Sequence, residues 1–272
     1  MRIVVPIKQV PETGNVKMDP ETGTIIREGN ESIVNPLDLY AVEEALRLKE
    51  KHGGSVAVIS MGPASAEKAL KEAIAMGCDQ AWLISDRKFA GSDTWATAHI
   101  LACGFGHLGG YDLIIAGERA TDGDTGQVGP NLAAALDLPL ATFVRRIDAS
   151  PDQGLMRVER LLEEGEELLE LPLPALVTVV KEINFPRLPT LRGKKKARNL
   201  QIETLNAQTL GTDPSKIGLL GSPTRVVKME SPRVTRTGTL LKVKDEASLQ
   251  EAASALMAFL KQKGFFSEGS HG

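Results

Sequence analysis

With 272 residues, 42% of them apolar and 25% charged, the chain has a folded globular composition and room for one large domain or a domain plus an extension. A net charge of −3 gives no global footprint for nucleic acid, and an aromatic content of 4% is too low for base-stacking platforms. Two cysteines without a partner spacing and four histidines without an i,i+4 pair exclude an obvious disulfide or zinc site, so Cys78 and Cys103 are expected to be buried free thiols and no metal is expected.

Met1-Arg-Ile-Val-Val-Pro6 enters a strand directly, so no signal peptide is expected, and no apolar run nears the ~20 residues of a membrane span. A cytoplasmic protein is expected. Residues 2–8 form the first strand, ended by Pro11, and Asp19-Pro-Glu-Thr-Gly-Thr24 reads as a turn in a small hairpin. Asn35-Pro36 then breaks the chain. Asp38 is the expected N-cap of a helix over 38–51, with Ala41, Val42, Ala45, Leu46 and Leu48 at helical spacing. A strand over 55–61 leads through Gly62-Pro63 into a second helix, with Ala69, Leu70, Ala73 and Ile74 on its buried face and Gly77 as its cap. A strand over 80–85 follows, then a helix from Thr94 to about 105 capped by Ser92 or Asp93, then a strand over 112–116.

That fourth strand opens into Gly117-Glu-Arg-Ala120-Thr121-Asp122-Gly123-Asp124-Thr125-Gly126-Gln127-Val128-Gly129-Pro130, and a helical run begins at Asn131. Strand, glycine-rich turn and helix start in that order collect backbone N–H groups and a positive helix dipole at one spot, which suits an anion such as phosphate. A long connecting loop is the plainer alternative, although loops of this length in compact domains are usually functional.

Strands that read as continuous apolar runs and alternate with helices are buried on both faces of a parallel sheet. The fold class is therefore α/β: a doubly wound, mostly parallel sheet of the nucleotide-binding, flavodoxin-like kind, with antiparallel additions and an extended C-terminal arm. Ligands sit beyond the carboxyl ends of such strands, where strand order reverses. An order resembling 3-2-1-4-5 sets Pro6, Ile7 and Lys8 opposite the 117–130 stretch, with Asn35, Pro36, Leu37, Asp38 and Met61 nearby. Neither a P-loop nor Gly-x-Gly-x-x-Gly is present, so a nucleotide must be held another way.

Beyond Pro139 the pattern changes. Strands are expected over 141–149, 155–162, 168–171 and 174–180, with Glu163-Glu164-Gly165-Glu166-Glu167 as a solvated hairpin tip rather than a metal or catalytic site. From Asn184 periodicity is lost. A proline-punctuated segment over 185–191 precedes Arg192-Gly-Lys-Lys-Lys-Ala-Arg198, and no acid occurs between Glu182 and Glu203. This basic patch is a solvated charge run, a nucleic-acid site or a face for an acidic partner. Asp245 opens a last helix with Leu249, Ala252, Ala253, Leu256, Phe259 and Leu260 on one face. The division expected is an α/β nucleotide-binding domain over 1–184 and, over 185–272, a segment and C-terminal arm too apolar to be disordered and expected to pack on another subunit.

Three motifs together resemble the electron transfer flavoprotein β subunit. Val158-Glu-Arg-Leu-Leu-Glu-Glu-Gly-Glu-Glu-Leu-Leu-Glu-Leu-Pro-Leu-Pro-Ala-Leu-Val-Thr178 is similar to that family's signature. Asn35-Pro36 followed by Ala41-Val-Glu-Glu-Ala45 is similar to its second-helix start, and the third motif is 117–130 itself. The resemblance implies pairing with an FAD-carrying α subunit, and AMP in the β subunit's own crevice in ordinary members. In electron-bifurcating members a second FAD takes that place. Asp122-Gly-Asp-Thr-Gly-Gln-Val-Gly-Pro130 sides with the bifurcating and nitrogen-fixation-linked group, which implies FAD, NADH as electron donor, and a ferredoxin, flavodoxin, dehydrogenase or quinone-linked protein as redox partner. Asp93, Thr94 and Thr97 also resemble that group and are implied contacts of the ribityl or phosphate. Gly126 stands where Ala is usual, Thr121 where Ile is usual, and Pro6 cannot offer the backbone N–H that often meets adenine. By the same likeness Leu191 is the apolar peg that docks redox partners, with the adjacent lysines steering. The competing readings are an AMP- or ATP-binding regulatory module without redox work, and a nucleic-acid binder using 187–198.

Overall fold

Arg2-Ile-Val-Val-Pro6 forms β1 (Arg2–Pro6), whose three central side chains are wholly buried, as a strand covered on both faces requires. The computed structural model describes residues 1–12, 32–227 and 238–265, so the turn expected at 19–24 lies outside the described residues. The chain divides into two compact units, Met1–Arg225 and Val226–Gly272.

In the first unit β2 (Gln9–Pro11) and β3 (Ser32–Val34) pair as a short antiparallel ribbon beside α1 (Pro36–His52). There follow β4 (Ser55–Met61), α2 (Glu67–Met76), β5 (Gln80–Ile84), α3 (Thr94–Leu108), β6 (Leu113–Gly117) and α4 (Val128–Ala135). Next come β7 (Leu140–Ser150), β8 (Leu155–Leu162), β9 (Gly165–Pro172), β10 (Ala175–Val179), α5 (Leu191–Asn199) and β11 (Glu203–Leu205). One nine-stranded sheet runs β11-β5-β4-β1-β6-β10-β7-β8-β9. It is parallel from β11 to β7 and becomes antiparallel through β8 and β9, the acidic hairpin. Its centre, β5-β4-β1-β6-β10, has the expected 3-2-1-4-5 order with β10 as fifth strand.

Two cores flank the sheet. Val42, Leu46, Leu70 and Ile74 of α1 and α2 pack with Ile3, Val5 and Val58 on one side. Ile100, Phe105 and Leu132 of α3 and α4 pack with Val4, Ile59 and Ile114 on the other. Covering helices on both faces make the sheet doubly wound and place the reversal of strand order between β1 and β6.

Three local outcomes differ from the sequence expectations. The first helix starts at Pro36, the position where a missing N–H costs nothing, so Asn35 is its N-cap and Asp38 lies inside the first turn instead of capping it. The basic run expected to be irregular is a helix, α5, capped by Thr190, whose hydroxyl accepts from the Gly193 N–H at 2.9 Å. An added Cβ on Gly193 would lie 2.0 Å from the Ala75 carbonyl oxygen, so α5 packs closely on the end of α2. A three-residue strand, β11, also adds to the sheet edge by pairing with β5. Cys78 is buried and Cys103 only half-buried, and both thiols are free.

The second unit carries α6 (Glu246–Gln262), opened by a capping box in which Asp245 accepts from the Ser248 N–H at 2.8 Å. Leu249, Leu256 and Phe259 on it are exposed. No helix among the described residues is long and apolar enough to cross a membrane.

Candidate functional site: the crevice between the first and sixth strands

The carboxyl ends of β1 and β6 open side by side, and the segments that leave them are tied together from below. Asn35, fully buried, donates through Nδ2 to the Arg119 carbonyl at 2.9 Å and to Asp38 Oδ1 at 2.8 Å, while its Oδ1 accepts from the Thr121 N–H at 3.2 Å. One side chain thus fixes the first third of the glycine-rich loop to the start of α1. Asp38 Oδ2 accepts from the Lys8 N–H at 2.7 Å, which binds the exit of β1 to the same point. Lys8 Nζ then reaches over to Asp122 Oδ1 at 2.7 Å, closing the ring from above.

Burial pushes the Asp38 carboxyl up to about 7, although the bonds from Lys8 and Asn35 and the charge of Lys8 pull the other way. Close backbone approach decides the residue at the end of β6: an added Cβ on Gly117 would lie 2.4 Å from Asp38 Oδ1 and 2.9 Å from the Leu37 carbonyl. Pro6 is tolerated because the ladder between β1 and β6 pairs Ile3 and Val4 and ends before it, so no N–H is required there. Pro36 is exposed, and Leu37 and Met61, the last residue of β4, are half-buried beside this floor.

Above it the loop runs through Ala120 and Thr121 to Asp124, which has φ +52° and donates its N–H to the Ala120 carbonyl at 2.8 Å. Gly126, with φ +63°, then turns the chain into α4. Gly123 has open space where a side chain would stand, with nothing within 4 Å of an added Cβ. Gln127 caps α4 without a side-chain bond, so the first-turn N–H groups of Val128 and Gly129 have no partner from within the helix. Pro130 has no N–H, and Gly129 is wedged where an added Cβ would meet Thr178 Cγ2 at 2.5 Å. Thr94 at the start of α3 donates to Gln127 Oε1 at 2.8 Å, joining the two helix N-termini on that side. Thr125 is exposed, and Thr97 is half-buried one turn into α3.

Glu118, Asp122 and Asp124 bring three acids to a loop suited to an anion, and each is offset. Asp122 pairs with Lys8, Asp124 pairs with Arg119 at 3.1 Å, and burial raises the Glu118 carboxyl above its ordinary value. Exposed pairs of this kind stabilise little, but they remove local negative charge. The donors left free are backbone N–H groups, hydroxyls and an amide, the chemistry that binds phosphate or pyrophosphate.

Asp93 has a different place. Its Oδ1 caps α3 by accepting from the Ala96 N–H at 3.0 Å, and its Oδ2 accepts from the Thr224 N–H and hydroxyl at 2.9 and 2.8 Å. Both oxygens are occupied within the protein. Burial is the largest single effect on that carboxyl and opposes ionisation, yet the bonds together hold it below the usual carboxylate range. Leu191 lies away from the crevice as the first residue of α5, 87% exposed. A groove of about 460 Å³ lies beside it between α2 and α5, lined by Ala75, Pro189, Lys194 and Ala197. Thr178, which meets Phe143 and Gly129, and Ser222 and Thr224, which hold Asp93, carry no local sequence signal, because each acts on a partner distant in the chain.

The electron transfer flavoprotein domain family matches residues 22–210. The electron transfer flavoprotein subunit beta of Thermoanaerobacterium thermosaccharolyticum is 46% identical over 97% of this chain and 99% of its own. The caffeyl-CoA reductase-Etf complex subunit CarD of Acetobacterium woodii is 43% identical over 97% of this chain and 99% of its own, and Protein FixA of Azotobacter vinelandii 41% over 96% and 95%. With the crevice, the acidic hairpin and likeness along almost the whole length, the chain belongs to the electron transfer flavoprotein β-subunit family, whose work is electron transfer.

Proposed function

We propose that the crevice between β1 and β6 holds FAD, and that the chain works with a flavin-bearing α subunit to take electrons from NADH and divide them between that subunit and a low-potential carrier. The observation that carries this reading is the open strip from Gly123 to Gly126 leading into the uncapped N-terminus of α4. Glycine at 123 and 126 leaves no side chain at the two ends of this strip, which lets a pyrophosphate and the group beyond it approach the backbone closely, where a single phosphate needs no such length. The likeness to the caffeyl-CoA reductase complex subunit and to FixA supports it.

When bound, FAD supplies the hydride-accepting and electron-releasing chemistry. This chain's residues would bind and orient it. Val128 and Gly129 direct N–H groups toward the diphosphate, Thr125 and Gln127 add neutral donors, and Asn35 and Asp38 hold the loop at its working height. Lys8 and Arg119 keep Asp122 and Asp124 from repelling it. The exposed Leu191, flanked by the basic residues of α5, would dock a redox partner such as an acyl-CoA reductase.

Cofactor stoichiometry of the purified αβ complex is the test. Two FAD per complex supports the proposal. One FAD with one AMP returns the ordinary carrier reading, in which the crevice nucleotide is structural.

A further inference from the structure

Residues 184–190 belong to no helix and no strand, so side chains must hold them. Asn184 is buried and donates through Nδ2 to the Tyr40 carbonyl and to Glu44 Oε2, both at 3.0 Å. Three residues on, Arg187 lies across α1. Its backbone N–H and Nε donate to Glu43 Oε2 at 3.0 and 2.8 Å, and Nη2 reaches Glu43 Oε1 at 3.2 Å. Nη1 and Nη2 together grip Glu50, at 2.5 Å to Oε1 and 3.1 Å to Oε2. Glu43 is only 3% exposed, and without Arg187 its remaining cationic partner among the described residues is Arg47 at 2.9 Å. On the far side the Thr190 N–H donates to the Ala75 carbonyl at 3.3 Å.

Phe185 and Leu188 between these anchors are 88% and 86% exposed, and Leu191, which follows the last anchor as the first residue of α5, is 87% exposed. Large apolar side chains at every third position are presented to solvent, two on a segment that has no backbone ladder and is nonetheless fixed and the third at the helix start that follows it. A docking segment already ordered before contact loses less entropy when a partner arrives.

We infer that Arg187 is a positioning residue for partner docking: its planar fork on Glu43 and Glu50 pre-organises the segment that displays Phe185, Leu188 and Leu191. The inference rests on the proposed docking role of Leu191. Lysine keeps the charge at this position but cannot span two carboxylates in the same way.

The test uses the αβ complex with Arg187→Ala, Arg187→Lys and Leu191→Ala, an acyl-CoA reductase flavoenzyme as protein acceptor, and dichlorophenolindophenol as a dye acceptor that needs no docking. Arg187→Ala is expected to raise KM for the protein acceptor about tenfold or more, the size of effect that losing charge-assisted bonds produces. Its kcat and the dye rate should stay within about twofold of wild type, and hydrogen exchange of the 185–191 amides should quicken while that of β4 does not. Arg187→Lys should fall between the two. An unchanged KM in Arg187→Ala beside a raised KM in Leu191→Ala overturns the inference alone. Unchanged KM in both removes the docking reading and the inference with it.

Discussion

The carboxylate of Asp38 lies against the α-carbon of Gly117, so closely that a single methyl group there would stand 2.4 Å from Oδ1. Gly117→Ala therefore has to push α1 away from the end of β6, because Leu37 backbone atoms bar the other direction. A loss of roughly 1–3 kcal/mol in unfolding free energy is expected, measured by denaturant titration against wild type. A change under about 0.5 kcal/mol would mean that α1 yields freely.

Gly123→Ala is the complementary case. The added methyl has nothing within 4 Å, so stability should hold within about 0.5 kcal/mol. If a dinucleotide passes close to this backbone, flavin retention by the complex should drop about tenfold. Retention equal to wild type would place the ligand elsewhere.

Asp38 gives the crevice a pH signature. Burial raises its carboxyl to about 7, so the fold favours the neutral acid. Its contribution is complete below pH ~4, where folded and unfolded chains are both protonated, and is lost as pH rises through about 7. Lys8 and Asp122 are the charges that face it and modulate the loss. Wild-type stability measured relative to Asp38→Asn should decline between pH ~4 and 7 by at most ~1.4 kcal/mol per pH unit, then level off. A flat difference across that window would show that the bonds from Lys8 and Asn35 outweigh burial.

Asn35→Ala removes the side chain that ties Arg119, Thr121 and Asp38 together, leaving buried polar groups unpaired. A cost of roughly 2–4 kcal/mol is expected from two or three lost bonds. Hydrogen exchange at the Thr121 amide should rise far more than at the Leu205 amide across the sheet, and equal changes would make the effect global.

Asp93→Ala tests the root of the C-terminal segment. Losing the α3 cap should cost about 1 kcal/mol. Losing the hold on Thr224 should also speed trypsin cleavage after Arg225, which follows directly in the chain. Unaltered cleavage would show that Ser222, which accepts from the Asp93 N–H at 2.9 Å, suffices alone.

Much of this architecture is legible before any coordinates. Buried parallel strands are continuous apolar runs, and the handedness of crossovers leaves few strand orders, which is why β5-β4-β1-β6 and the position of the glycine-rich loop follow from residues 1–130. Asp38 was misleading because a carboxylate before an apolar helix face looks like a cap, whereas its true partner is the Lys8 N–H, 30 residues away. The helix at Leu191–Asn199 was hidden for the same kind of reason: its composition is that of a solvated charge run, and it forms on a Thr190 cap and a Gly193 contact with α2. Asp93 is legible as a candidate cap of α3, and its bond from the Ala96 N–H bears that out, whereas its second bond, to Thr224 across 131 residues, is announced by no local pattern.

The position of β10 has a consequence for how the chain is assembled during synthesis. β7 is made before β10 but lies beyond it, so the native pairing of this half of the sheet is complete only once Ala175–Val179 lies between β6 and β7. Until then both neighbours show unpaired strand edges, the surface most prone to capture by other chains. Insertion of a wholly buried strand between two waiting edges is a late and non-local event, slow by nature. The β8–β9 hairpin therefore joins the rest of the sheet only through β10 and β7, and sealing that gap is what turns two half-sheets into one.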